Sequence, residues 1–379
     1  MKRFHPIYIA LVIVCFALLS CNRGNGNIYD NFKKVKDSGD LCSVTVSLDT
    51  VGLEAINSSG VSFSGICSDG SIYYYDSYFA WVYKFDTEGN LLGRYLGYGR
   101  GPKESTVKHG KCFVESNDSK WAIFGPSMDY ELFDKDFNAI NRFRISFKGR
   151  SADPEDFTTY SIYPNTVCRM VDGLLYSSTV SENPSFNYID TYSEYVKNAR
   201  HISVVDMQTG DPLKMVLKGL PPVYEERKYE CSLMDNVFFD IDADKQFYLN
   251  FQADSLIYVF NGNFKPLYAF GCAGKDIDLA YQPVRSWKED RVAIMCNMRE
   301  KGYYSNIEYI DETGLCFRSY VKGKHSECDG LQIYRGGVLI GDCEVPKGFR
   351  VTGYVAPYYY SQVYDENDGD KLYVYRFTL

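Results

Sequence analysis

The chain has little histidine, no paired-cysteine motif, no excess of positive charge and no apolar run long enough to span a bilayer. Only His109, His201 and His325 lie beyond the leader, and none belongs to a His-Glu-x-x-His pair. No Gly-x-Ser-x-Gly elbow occurs either, so neither a zincin helix nor an α/β-hydrolase nucleophile is written here. Lys and Arg total 41 against 49 Asp and Glu, a net charge of −8 with a pI near 5.2. A surface that tracks nucleic acid needs a basic stripe, so nucleic acid is excluded as a partner. Twelve cysteines occur without one Cys-x-x-Cys, which removes zinc knuckles and thioredoxin-like redox motifs. The longest apolar stretch, Ile7 to Leu19, falls short of the roughly 20 residues a membrane span requires.

That stretch reads instead as the core of an export signal. Lys2 and Arg3 precede it, and Leu18-Leu19-Ser20-Cys21 follows, in the order of a processed leader. The last four residues resemble a bacterial lipobox, which implies cleavage before Cys21 and lipidation of its thiol. Residues 1–20 are then the signal peptide, and 21–40 a lipidated flexible tether opening on the polar run Asn22 to Asn27. Several acyl chains hold a protein on a membrane where one is marginal. Asn22 in place of Asp disfavours inner-membrane retention by the same resemblance, and no acidic cluster follows Cys21. The expected address is the outer membrane, facing the periplasm rather than the cell surface. Disulfides are permitted there. Cys328 and Cys343 flank a hairpin-like stretch and would pair if they faced each other; most of the other cysteines read as small buried hydrophobes.

What is abundant is aromatic residues, 34 Tyr and 24 Phe, which suit pleated half-buried surfaces. A phrase recurs through the chain: Val82-Tyr83-Lys84-Phe85-Asp86, Tyr130-Glu131-Leu132-Phe133-Asp134, Ile202-Ser203-Val204-Val205-Asp206, Ile257-Tyr258-Val259-Phe260-Asn261, Ile307-Glu308-Tyr309-Ile310-Asp311 and Leu372-Tyr373-Val374-Tyr375-Arg376. Each is a strand, and the first five run into a polar turn. Repetition at such intervals argues for blades of a propeller. Residues 63–104 hold a whole blade: Phe63–Cys67, Ile72–Asp76, Ala80–Asp86 and Leu91–Leu96, with Asp69-Gly70 supplying a tight turn. Blades two (111–147), three (166–220, with an insertion at 180–200 read as loop and short helix) and four (237–270) follow. Blade five is read from Val292–Cys296, Ile307–Ile310 and Leu315–Tyr320, and blade six from Leu331 onward. The last blade then lacks a strand. Cys42–Leu48 alternates with period two and is expected to fill that place beside Lys371–Leu379, hiding an open edge. The fold expected for 41–379 is all-β, a six-bladed β-propeller of four-stranded antiparallel blades closed by an N-terminal strand.

The Gly-rich loop Gly97-Tyr98-Gly99-Arg100-Gly101-Pro102-Lys103-Glu104 follows blade one. It lacks Gly-Lys-Ser/Thr and no helix of an α/β unit comes next, so as a phosphate cradle it fails. Gly271-Cys272-Ala273-Gly274-Lys275-Asp276 holds the equivalent place after blade four, which favours an inter-blade crossing. The stretch Val82 to Glu104 resembles the six-bladed propeller lipoproteins of Bacteroidota, relatives of NHL-repeat and TolB-like propellers. Their loop commonly reads Gly-x-Gly-Pro-Gly-Glu. Gly99, Gly101, Pro102 and Glu104 match it, while Lys103 departs from it. Ala253 to Ile277 and the terminal Lys371 to Leu379 resemble the same family. The resemblance implies an extracytoplasmic propeller and carries over no catalytic residue.

Asp240-Ile241-Asp242-Ala243-Asp244 starts like a calcium loop, but Lys245 and Phe251 stand where an EF-hand needs Gly and Glu; a hairpin turn is the reading. Asp365 to Asp370 reads as an acidic hairpin tip. Asp49-Thr50-Val51 and Asp254-Ser255-Leu256 resemble the short O-glycosylation signal of Bacteroidota, a triplet that also arises by chance. No metal site and no cofactor is expected. The candidate binding residues are Gly99, Arg100, Gly101, Pro102, Glu104 and His109, the last placed to face a propeller mouth. The expected function is a non-catalytic lipoprotein that binds an envelope protein or a glycan through loops at one mouth. The alternatives are a glycan-active hydrolase or lyase, marked by acids, His or Arg converging in the channel, and a structural component with no concave polar mouth.

Overall fold

The computed structural model of the chain describes residues 27–35, 44–146, 151–163, 165–366 and 368–379. The leader, the lipobox with Cys21 and the start of the expected closing strand at Cys42 lie outside them. Six four-stranded antiparallel sheets follow one another around a ring, as the repeated phrase predicts. Their first strands, inner to outer, are Ser62–Ile66, Cys112–Glu115, Cys168–Val171, Val237–Ile241, Tyr303–Ile310 and Val351–Val355. The first strands of neighbouring blades face one another; Ser116 and Met170 even form a parallel bridge. Hydrophobic side chains fill the spaces between sheets, where residues such as Ile123, Val204, Leu249 and Leu331 are fully buried.

The alternating pattern places blades one, two and four where it predicts them. Blade five differs. Val292–Cys296 lies within a helix, Arg291–Glu300, whose buried residues are Ile294 and Asn297. Their spacing of three is one helical face, and a short apolar run reads equally as strand or helix. Asn297 ties the helix down, donating to the carbonyls of Glu230 (3.2 Å) and Gln282 (3.0 Å). Tyr303–Ile310 is therefore the first strand of blade five, and Asp329–Arg335 and Val338–Val345 are its third and fourth. The phrase at Ile307 is an inner strand that mimics the outer ones because it too is apolar and ends in an acidic Gly turn. Blade six then runs from Val351.

The ring closes with an N-terminal strand, Asp49–Leu53, antiparallel to Lys371–Phe377 with Val51 opposite Val374. Of the segment expected to do this, residues 44–48 are not strand; Val44 instead donates its N–H to the carbonyl of Ile340 (3.2 Å) in blade five. The turn of blade one grips the closing strand from the other side. Gly89 has φ +94°, and a Cβ there would stand 2.0 Å from the carbonyl oxygen of Gly52, while Glu54 donates to the Gly89 carbonyl (2.9 Å). Gly89→Ala should therefore lower unfolding free energy by about 2 kcal/mol, the order of an αL strain. Gly314→Ala, at φ +64° with its nearest neighbour atom 4.0 Å away, should cost less. Urea unfolding of both variants checks this, and equal losses would remove the clamp.

The expected tether is not free over its whole length. Ile28–Asn31 forms a turn of 3₁₀ helix capped by the Asn27 side chain, and Lys33–Lys34 adds a fifth, parallel strand to the outer edge of blade four. Tyr29 is the cause. It is 5% exposed, sits edge-on to Tyr258 (4.8 Å) and Phe251 (5.5 Å), and donates its hydroxyl to the Gly219 carbonyl (3.1 Å). The insertion at 180–200 contains the helix Tyr192–Asn198. Phe186, Tyr192, Tyr195 and Val196 bury it in the largest core, so it is a packed element rather than a free arm. Cys328 and Cys343 are free thiols. Leu331, not Cys328, lies opposite Cys343; three residues along a strand is about 10 Å, beyond disulfide reach.

Candidate functional site

The six inner strands surround a cavity of about 970 Å³, within the size range of small-ligand sites. Because the inner strands run in one direction, their starts (Val61, His109, Asn165, Tyr303, Arg350) ring one mouth. Their ends (Ser68, Asn117, Val171, Ile241, Tyr309) ring the other.

Besides Lys111 and Glu115 of blade two, four charged residues line this channel. Each interrupts an otherwise apolar inner strand or its approach: Arg169 between Cys168 and Met170, Asp240 after Phe239, Glu308 after Ile307, and Arg350 beside Val351. Arg169 reaches across two blades, donating Nε to Asp240 Oδ1 (2.6 Å) and Nη2 to Glu308 Oε2 (2.9 Å). Asp240 is further held by the N–H groups of Ile241 (2.9 Å) and Tyr309 (2.7 Å). Burial opposes the Arg169 charge, but the two carboxylates outweigh it and raise its pKa above the usual guanidinium range. Burial and the Asp240 charge raise the Glu308 carboxyl, against the pull of Arg169. The triad thus joins blades three, four and five at the axis.

Arg350 is different. It is open to the channel, yet protein surrounds it, and loss of hydration lowers its pKa. Its backbone N–H donates to Gln362 Oε1 (2.8 Å); among the described residues no carboxylate forms an ion pair with its guanidinium. Tyr364, Tyr73, Tyr303 and Glu308 stand in its electrostatic neighbourhood, and Tyr73, Tyr303 and Glu308 line the same cavity. Tyr73 reaches the channel by crossing Gly65, where a Cβ would lie 3.1 Å from its hydroxyl. Any larger residue at position 65 would push that ring aside. Burial raises the pKa of the Tyr73 and Tyr303 phenols, so they are neutral donors at physiological pH.

The residues singled out from sequence divide into two groups. His109 borders the cavity, with its ring 5.3 Å from that of Tyr78. Gly99, Arg100, Gly101, Pro102 and Glu104 do not line it. Their loop packs against the outer strand of blade two: Glu104 Oε2 accepts from the Gly101 N–H (2.7 Å), Pro102 O from Ala139 (2.8 Å), and Gly101 O from Arg142 Nη2 (2.9 Å). A Cβ at Gly99 would stand 2.0 Å from the Glu104 carboxylate. His201 is fully buried in blade three, where burial and Arg200 lower its pKa to about 3. Asp242 serves its hairpin, accepting from the N–H of Gln246 (2.7 Å). Arg169, Glu308 and Arg350 went unmarked in the sequence, although a lone charge in an inner strand was the available signal.

No family model matches the sequence, and no curated protein is similar to it in sequence. Solved structures do resemble it. A member of the DUF4221 family from Bacteroides vulgatus superposes with a TM-score of 0.61 at 11% identity, covering 88% of this chain and 98% of that one. A Bacteroides fragilis protein provisionally described as exported gives a TM-score of 0.54 at 14% identity, covering 92% and 99%. At such identities the likeness speaks for the fold. No helix among the described residues is long and apolar enough to cross a membrane. This chain is a six-bladed β-propeller with the architecture of these Bacteroides proteins, built around a channel in which charged side chains from four blades converge.

Proposed function

We propose that the protein is an exported, lipid-anchored propeller that binds an envelope protein or glycan at the channel mouth bordered by His109, without catalysing a reaction. One observation carries this reading: the channel is concave, of ligand size, and lined from all six blades, while both of its central acids are engaged by Arg169. A site so lined offers hydrogen-bond donors and aromatic walls more than a free nucleophile or base. The anchor is Cys21 and the membrane the outer one; the described Bacteroides fragilis neighbour lends export its support. With residues 27–35 docked as a strap on the outer edge of blade four, the residues after Cys21 span at most about 20 Å. The rim between blades three and four, with exposed Lys33, Lys34 and Lys218, is then the side nearest the membrane.

A second reading, a glycan hydrolase or lyase, draws on Glu308: a carboxyl whose proton is held more tightly by burial is a general-acid candidate. One experiment addresses both. A photo-crosslinking residue replaces His109 at the mouth or Leu213 on the rim, in the acylated protein within its own envelope. Adducts at position 109 and none at 213 are expected. Adducts only at 213 would sink the mouth reading. New reducing or unsaturated sugar ends, released on incubation with envelope glycans and lost in Glu308→Gln, would decide for catalysis.

A further inference from the structure

We propose that Arg350, together with the hydroxyls of Tyr303 and Tyr73, forms a subsite for one carboxylate, that of an acidic sugar in a saccharide entering the channel. The inference rests on the reading that the channel is the binding site, and it names the ligand class. Charge is the first argument. Of the channel's three acids, Asp240 and Glu308 face Arg169, which bonds to them at 2.6 and 2.9 Å, and Glu115 accepts from Ser68. Arg350 stands in the same channel with no ion-pair partner among the described residues, and its pKa is already depressed by lost hydration. A guanidinium stays charged under such conditions, so the channel carries a cation whose carboxylate neighbour, Glu308, is hydrogen-bonded to Arg169 instead. A guanidinium that no carboxylate holds directly can form charge-assisted hydrogen bonds when an anion arrives.

Donor geometry is the second argument. Neither the Tyr73 nor the Tyr303 hydroxyl hydrogen-bonds to a described residue, though both line the cavity. The Thr352 hydroxyl, also lining it, is buried without a partner. Three unspent hydroxyl donors beside one planar five-donor fork match a planar anion with two acceptor oxygens. The walls favour a sugar over a peptide. Tyr73 and Tyr303 offer aromatic surface, and Ser305 and Asn306 offer short polar groups, the mixture that suits a ring of C–H and hydroxyl groups. Gly65 belongs to the device, since it alone lets Tyr73 reach across.

The test is calorimetric titration of the full acylated protein in detergent with di- and trigalacturonate, with their methyl esters and with neutral galactose oligomers of equal length. Binding of the acids is expected to exceed that of both neutral sets. Arg350→Met should lose about 30-fold or more, Arg350→Lys should keep part of the affinity, and Tyr303→Phe should lose a smaller share. A merely structural Arg350 would make Arg350→Met less stable; removal of an unpaired cation should leave its urea midpoint unchanged or raised. Acids and esters binding alike, with Arg350→Met unaffected, would overturn the subsite, as would no binding of galacturonates at millimolar concentration. A plug of the channel, Ser305→Trp, separates the two claims. Uronate binding lost with the plug but kept in Arg350→Met overturns the subsite and leaves the channel reading standing. Binding kept in both overturns the channel reading as well. Acidic peptides bound in place of sugars would overturn the ligand class.

Discussion

Replacing Arg169 with methionine is expected to lower the free energy of unfolding by about 3–5 kcal/mol near neutral pH. The aliphatic stem is kept, so the loss is electrostatic rather than a cavity. Without the guanidinium, Asp240 and Glu308 stand together on the neighbouring inner strands of blades four and five, with side chains only 8% and 18% exposed. Two unpaired carboxylates in that setting must take up protons or hold the blades apart. The pH dependence follows with a definite sign. Glu308 already has a folded pKa above its ordinary value, so the folded state binds its proton more tightly than the unfolded one. Its contribution is complete below the unfolded pKa, about 4.3, and is lost as pH rises through the folded value. Arg169→Met should raise that folded value further and steepen the fall. Urea unfolding from pH 4 to pH 8 should show the variant approaching the wild type in acid and diverging above it. Adding Asp240→Asn and Glu308→Gln to Arg169→Met should restore most of the loss. Parallel pH curves with a loss under about 1 kcal/mol, the size of a surface pair, would show that the triad does not join the blades.

Tyr29→Ala is expected to release the strap 27–35 while leaving the propeller closed. Truncating a buried aromatic costs about 3–5 kcal/mol, and this side chain's contacts hold the strap to blades three and four: the rings of Tyr258, Phe251 and Phe260 in blade four and the carbonyl of Gly219 after blade three. The strap has few other ties. Lys33 and Lys34 pair with Tyr268 and Ala269 over two residues, Val35 donates to the Ala269 carbonyl (2.8 Å), and Phe32 packs on the same rings. Hydrogen exchange at Val35 should therefore accelerate about a hundredfold or more. Exchange in the inner strands should hardly change, because the ring is closed by Asp49–Leu53 and not by the strap. A uniform acceleration across all blades would mean that strap and propeller unfold together. Unchanged exchange at Val35 would mean that the two-residue ladder suffices.

The separation between what can be read locally and what cannot is visible at particular positions. The strands of blades one, two and four are legible because alternation of apolar residues and Asp-Gly or Asn-Gly turns are properties of ten or fewer neighbouring residues. The need for an N-terminal closing strand is likewise legible, from a count of strands and the cost of an open edge. Its identity is not. Residues 44–48 alternate as well as 49–53 do, and only the grip of Gly89 on Gly52 and the pairing of Val51 with Val374 select between them. Blade five shows the same limit: Val292–Cys296 is apolar enough for a strand, and the buried partners Glu230 and Gln282 make it a helix.

The channel belongs wholly to the tertiary level. By itself the sequence determined a β-rich chain, a repeat of blade length and the absence of familiar catalytic motifs, since each of these is carried by residues close in the chain. Only the folded ring decided that Arg169, Asp240 and Glu308 meet. They stand 71 and 139 positions from one another's partner and come together because six inner strands must share one axis. The same closure leaves Arg350 without an ion pair among the described residues. A charge pair is a property of distance in space, and no periodicity in a sequence records it.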